Sequence, residues 1–256
     1  RKSIMQTATG PWALLAIITS ILLTVKSESA PQVHDLVALV NSESDIDLDQ
    51  LLQRLGDIAI ANQQLYGLDP QEVQTTLSLL PKLHEGLTIN PTFDGGFTEG
   101  PELAIFKVFQ LPLAHGWIVD PNDAEHAAVR KYNSYEASQN VLVEAYDLEN
   151  KPVKDGVDNE IIEDSKQIKH FFARSATQLT DYGLKYLKDN LFEDSVAIFF
   201  RNDHFGTIIK KDFDIFELVT DIGFKDKSSF VWESLLSING ANNSFFTGGF
   251  TPLLED

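Results

Sequence analysis

Cysteine is absent from the 256 residues. That absence excludes disulfides, thiolate metal centres and any mechanism that attacks with sulfur. Six histidines are present (His34, His84, His115, His126, His170 and His204), but none forms an HExxH motif or another pair at metal-ligand spacing. The expectation is therefore no metal and no other cofactor. Asp45, Asp47 and Asp49 alternate as calcium ligands do, but the glycine and the distal glutamate of a calcium loop are missing, so they read as a solvated helix start. Basic residues are scarce: 20 Lys and Arg face 38 Asp and Glu, a net charge of −18. Such a field repels phosphate backbones and anionic membranes and favours basic protein surfaces.

Long apolar runs are scarce as well. The stretch from Trp12 to Val25, preceded by Arg1 and Lys2, imitates a secretory signal. The polar residues Gln6 to Pro11 interrupt that pattern, and the run falls short of the roughly 20 apolar residues of a membrane span. A buried helix gives the same string. The reading is one cytoplasmic, monomeric domain over residues 1–256, with neither nucleic acid nor membrane as partner.

Periodicity places a fully buried helix after Pro11, an amphipathic helix over Asp45 to Tyr66, and another opening at Asp69-Pro70. Leu87 to Phe93 reads as a strand, Glu102 to Phe109 as a helix, and Asp123 to Val143 as helical. Residues 146–158, polar with Gly and Pro, read as a mobile loop. Glu160 to Lys188 reads as helix broken near Thr180. Three strands follow, over Ser195 to Arg201, Phe205 to Lys210 and Asp214 to Thr220, joined closely enough for an antiparallel meander. Helices first and a sheet later predict an α+β fold with a central buried helix.

Gln6-Thr7-Ala8-Thr9-Gly10-Pro11-Trp12 followed by Ala13-Leu14-Leu15-Ala16 resembles the MINDY deubiquitinase signature, in which Gln, three spacers and Gly-Pro-Cys open a Leu-Leu-Ala helix. Collinear strings strengthen the resemblance: Pro101 to Phe106, Leu111 to Pro121, Thr177 to Thr180 with Gly183-Leu184, Phe199 to Phe205, Val219 to Phe224, and Val231 to Leu235. The resemblance implies a papain-like fold with a helix-borne nucleophile and a sheet-borne histidine. It also places a strand before the Gln6 position, so Arg1 reads as a start within a longer chain.

By that resemblance His204 occupies the general-base position, Gln6 the oxyanion-donor position and Trp12 the nucleophile position. A thiol at a helix N-terminus is favoured as thiolate, but an indole carbon cannot be acylated and released. Ser3, Thr7 and Thr9 are the nearby hydroxyls that could substitute. Asp203 and Asp221 could orient His204, although turns also favour Asp. The resemblance further assigns Ile89, Trp117, Tyr135 and Phe200 to the apolar patch of ubiquitin, while Trp117 and Phe200 read equally well as core aromatics. His115 reads as a hydrogen-bonded structural histidine. The expectation is a ubiquitin-binding, catalytically silent homologue, directed at polyubiquitin of the proteasome-targeting lysine linkage. Its rivals are an isopeptidase with a non-cysteine nucleophile and a scaffold without ubiquitin binding.

Overall fold

The computed structural model describes residues 12–42, 45–220, 224 and 226–254. Its helices are α1 (Trp12–Thr24), α2 (Pro31–Ser42), α3 (Leu48–Tyr66), α4 (Pro70–Leu79), α5 (Leu103–Val108), α6 (His126–Tyr132), α7 (Tyr135–Glu149), α8 (Gly156–Arg174) and α9 (Asp181–Asn190). Its strands are β1 (Leu113–Ala114), β2 (Val196–Arg201), β3 (His204–Lys211), β4 (Asp214–Leu218), β5 (Trp232–Ser234) and β6 (Phe245–Phe246), hydrogen-bonded in that order. This is the α+β architecture expected from the sequence.

Helix α1 is apolar on all sides and lies against β2 and β3, with Leu14, Ile17 and Ile18 fully enclosed. The buried hydroxyls of Ser20 and Thr207, 3.0 Å apart, tie α1 to the middle of β3. The sheet separates two cores. Ile198, Phe200 and Phe205 pack with α1, α3 and α5, while Ala197, Phe199, Ile208 and Ile215 pack with α9. Alternation along each strand produces this division. A third cluster, Phe93, Trp117, Val119, Val129, Val141, Ile168 and Phe171, joins α6, α7 and α8 to the loops beside the sheet.

Helix ends follow their capping residues. Asp47, Asp69, Ser134 and Thr180 each accept a bond from the first turn of the following helix, and Gly67 closes α3 at φ 62°. Several stretches differ from the sequence expectation. Leu87 to Phe93 forms only isolated bridges, because its side chains pack inward without a neighbouring strand to pair with. Asp123 to Val143 divides into α6 and α7 at Asn133, whose φ is 59°. The irregular part of 146–158 is only 150–155, since α7 runs to Glu149 and a capping box between Asp155 and Asp158 starts α8, with Lys151 paired to Asp158 at 2.7 Å. Helix α2 was not anticipated, and β1 adds a parallel edge to the antiparallel meander.

Candidate functional site

Ile89, Trp117, Tyr135 and Phe200 come together on one groove of about 310 Å³, with Thr88, Gln178 and Asp203 completing much of its wall. Each arrives from a different element. Ile89 is carried by the extended segment before Pro91, which is fastened to the start of α7 where Tyr135 N–H donates to Pro91 O and Glu136 N–H to Asn90 Oδ1. Tyr135 opens α7 and is 38% exposed. Trp117 is a core residue as well as a wall: its ring packs against Phe93, Tyr135 and Phe172 at 5.0–5.5 Å, and its indole N–H donates to Ser175 Oγ at 2.8 Å. Phe200 is likewise buried, with Phe205 at 5.2 Å. The two readings of Trp117 and Phe200 are therefore compatible, since one side of each ring can complete a core while an edge faces the groove.

His115 fixes the strand-like segment that carries Trp117. Its Nε2 lies 2.8 Å from Gly96 O, and its Nδ1 accepts the Trp117 backbone N–H at 3.0 Å. These partners require the neutral tautomer protonated on Nε2. Burial pushes its pKa down to about 4.

A second depression of about 630 Å³ adjoins the groove and shares Thr88, Ile89 and Asp203 with it. Ala13, from the first turn of α1, and Phe205, the second residue of β3, lie on its wall. Together with the Ser20–Thr207 bond further along, this means that α1 and β3 run side by side in the same direction. The positive end of the α1 dipole and the hairpin turn before His204 thus flank one space. His204 opens β3 opposite Arg201, and burial lowers its pKa, which keeps the ring neutral and able to accept a proton. Gln6, Ser3, Thr7, Thr9 and Asp221 lie outside the described residues, as does the side chain of Trp12. Among the described residues no group of three or more His, Cys, Asp or Glu could hold a metal ion, and no helix is long and apolar enough to cross a membrane.

A model of the MINDY deubiquitinase family matches residues 1–250 of this chain. The chain belongs to the MINDY family. Curated relatives agree with the match. It is 38% identical over 98% of its length to the uncharacterized protein YGL082W of Saccharomyces cerevisiae, and 36% identical over 98% to ubiquitin carboxyl-terminal hydrolase MIY1 of the same yeast. It is 34% identical over 93% to ubiquitin carboxyl-terminal hydrolase MINDY-1 of Homo sapiens. The chain spans 65% and 68% of the two yeast proteins and 48% of the human one.

Reading the sequence alone did not single out Thr88 or Gln178. Thr88 sits in a segment read as a strand, of which only the neighbouring Ile89 is assigned to the site. Gln178 stood within the MINDY-like string Thr177 to Thr180, and its left-handed backbone, φ 55°, is the local sign that its position is specified by something other than helix or strand.

Two groups with displaced pKa values, Glu217 and His115, make the stability of this MINDY domain depend on pH in opposite senses. Glu217 on β4 faces Glu233 on β5, its carboxylate lies over Gly206, and burial pushes its pKa up to about 7 against the pull of Arg201. The folded chain keeps that proton while the unfolded chain loses it, so stability falls as pH rises from 4.5 to 7. His115 acts oppositely: the unfolded chain takes up a proton that the folded chain refuses, and stability falls as pH drops from 6.5 to about 4. Glu217→Gln removes the first contribution alone. It is expected to stabilise the protein by roughly 2 kcal/mol at pH 8, with the gain shrinking towards pH 5. Urea unfolding at the two pH values checks this; an equal gap at both would show that Glu217 is not the titrating group.

Proposed function

We propose that this MINDY domain binds ubiquitin in the groove formed by Ile89, Trp117, Tyr135 and Phe200 and does not cleave it. The observation that carries the reading is convergence: four positions scattered between residues 89 and 200 line one groove beside the N-terminus of α1 and the His204 hairpin. The net charge of −18 suits a partner whose apolar patch is rimmed by basic residues. Catalysis is lost because Trp12 stands at the nucleophile position and the chain holds no cysteine to replace it. His204 retains the base position and Gln6 the oxyanion-donor position. The bound form is polyubiquitin of the proteasome-targeting lysine linkage, which a single cytoplasmic, monomeric domain would shield or scaffold.

Titration with labelled di-ubiquitin tests the groove. Tyr135→Ala truncates a half-exposed ring at the first turn of α7 and is expected to weaken binding about tenfold or more. Unchanged affinity would remove the groove from the binding surface. Incubation with tetra-ubiquitin of the same linkage is expected to leave the chains intact. Shorter chains, abolished by His204→Ala, would instead establish an isopeptidase with another nucleophile.

A further inference from the structure

The turn that joins β2 to β3 carries Asn202 and Asp203, both in the left-handed region at φ 52° and 57°. A two-residue hairpin turn of this kind is most at ease with Asn-Gly, so Asp203 is held where glycine would be preferred. What holds it comes from one place. Arg201 Nε donates to Thr177 O at 2.8 Å, Asn202 Nδ2 donates to the same carbonyl at 3.2 Å, and the Asn202 backbone N–H donates to Gln178 Oε1 at 2.9 Å. A second arm of the Arg201 guanidinium reaches Ile238 O at 2.8 Å. Gln178 and Asp203 also line the groove.

We propose that Gln178 and Arg201 are positioning residues that clamp the turn before His204 to the chain between α8 and α9, so that occupancy of the groove is transmitted to that turn. A ligand seated against Gln178 and Asp203 restrains one end of the Gln178–Asn202 bond and the residue next to the other. The Arg201 fork supplies the rigid base: its planar guanidinium bridges two carbonyls on separate loops, a geometry that lysine's single ammonium does not reproduce. The hairpin that bears the general-base position therefore takes its placement from the groove wall as well as from the sheet. The coupled half of this inference rests on ubiquitin being the occupant.

Native-state hydrogen exchange of the full chain, read amide by amide by NMR, tests it. In the free protein, Gln178→Ala is expected to accelerate exchange of the Asn202 amide about fivefold, the loss of one ordinary hydrogen bond, while Thr207 and Ile208 within β3 keep wild-type protection. Arg201→Lys is expected to accelerate Asn202 by a smaller factor. Saturating di-ubiquitin of the proteasome-targeting linkage should slow Asn202 exchange in the wild type and leave it unchanged within about twofold in Gln178→Ala. Equal Asn202 exchange in wild type and Gln178→Ala would overturn the clamp, and ubiquitin-induced slowing that survives in Gln178→Ala would overturn the transmission. If ubiquitin alters no groove amide in the wild type, the ubiquitin reading and the transmission both fall, while the free-state comparison still decides the clamp.

Discussion

Gly183→Ala is expected to destabilise the domain by more than about 4 kcal/mol, the range reached only when a side chain meets immovable backbone. A Cβ at Gly183 would stand 1.7 Å from Gly116 O and 2.5 Å from Gly116 C. That carbonyl accepts the Thr180 N–H at 3.1 Å, and Thr180 caps α9 while its hydroxyl donates to Ile118 O at 2.5 Å. Relief of the clash must separate the start of α9 from the segment that carries Trp117, so the loss would include the groove. For a chain of this size the penalty corresponds to a fall in the thermal midpoint of about 10 °C. Gly156→Ala supplies the contrast, since nothing lies within 4 Å of its Cβ position, and a change within about 1 kcal/mol is expected. Thermal and urea unfolding of the two variants would show this; equal stability would mean that the backbones do not approach as described.

Trp117→Ala is expected to cost 3 to 5 kcal/mol, about the usual loss for an aromatic removed from a core. The truncation strips ring contacts from Phe93, Tyr135, Phe171 and Phe172 and removes the donor to Ser175 Oγ. Reduced ubiquitin binding by this variant alone would not distinguish a lost contact from a loosened scaffold. Trp117→Phe retains most of the packing and loses the N–H, with an expected cost of about 1 to 2 kcal/mol. Urea unfolding measures both. If Trp117→Ala costs less than Trp117→Phe, the ring is a surface contact and not a pillar of this cluster.

What the sequence made legible had a local cause. The caps at Asp47 and Asp69 and the alternation from Ser195 to Thr220 each determine their element within a few residues, and each formed where periodicity placed it. What escaped depends on partners distant along the chain. Strand β1 is two residues long and exists only because Leu113 and Ala114 pair with Ile198 and Phe199. Helix α2 buries only Leu36, Leu39 and Val40, too sparse a stripe to stand out. Leu87 to Phe93 had the composition of a strand without an edge to join. The site was legible chiefly through the MINDY-like strings, and the fold supplies a physical reason for two of them: Leu111 to Pro121 and Thr177 to Leu184 carry the glycines whose backbones touch. The groove could not be derived from spacing, because its walls meet only after the sheet and α7 are in place.

An evenly greasy cylinder has no preferred way round. Because α1 presents hydrocarbon in every direction, burial alone would let it roll against the sheet at little cost, and its first turn would then present a different side to the cleft. The hydroxyls of Ser20 and Thr207 act as a key in a keyway: any other azimuth would strand two polar groups in oil. One hydrogen bond, two turns of helix away, thereby sets the aim of the end of α1 that borders the cleft.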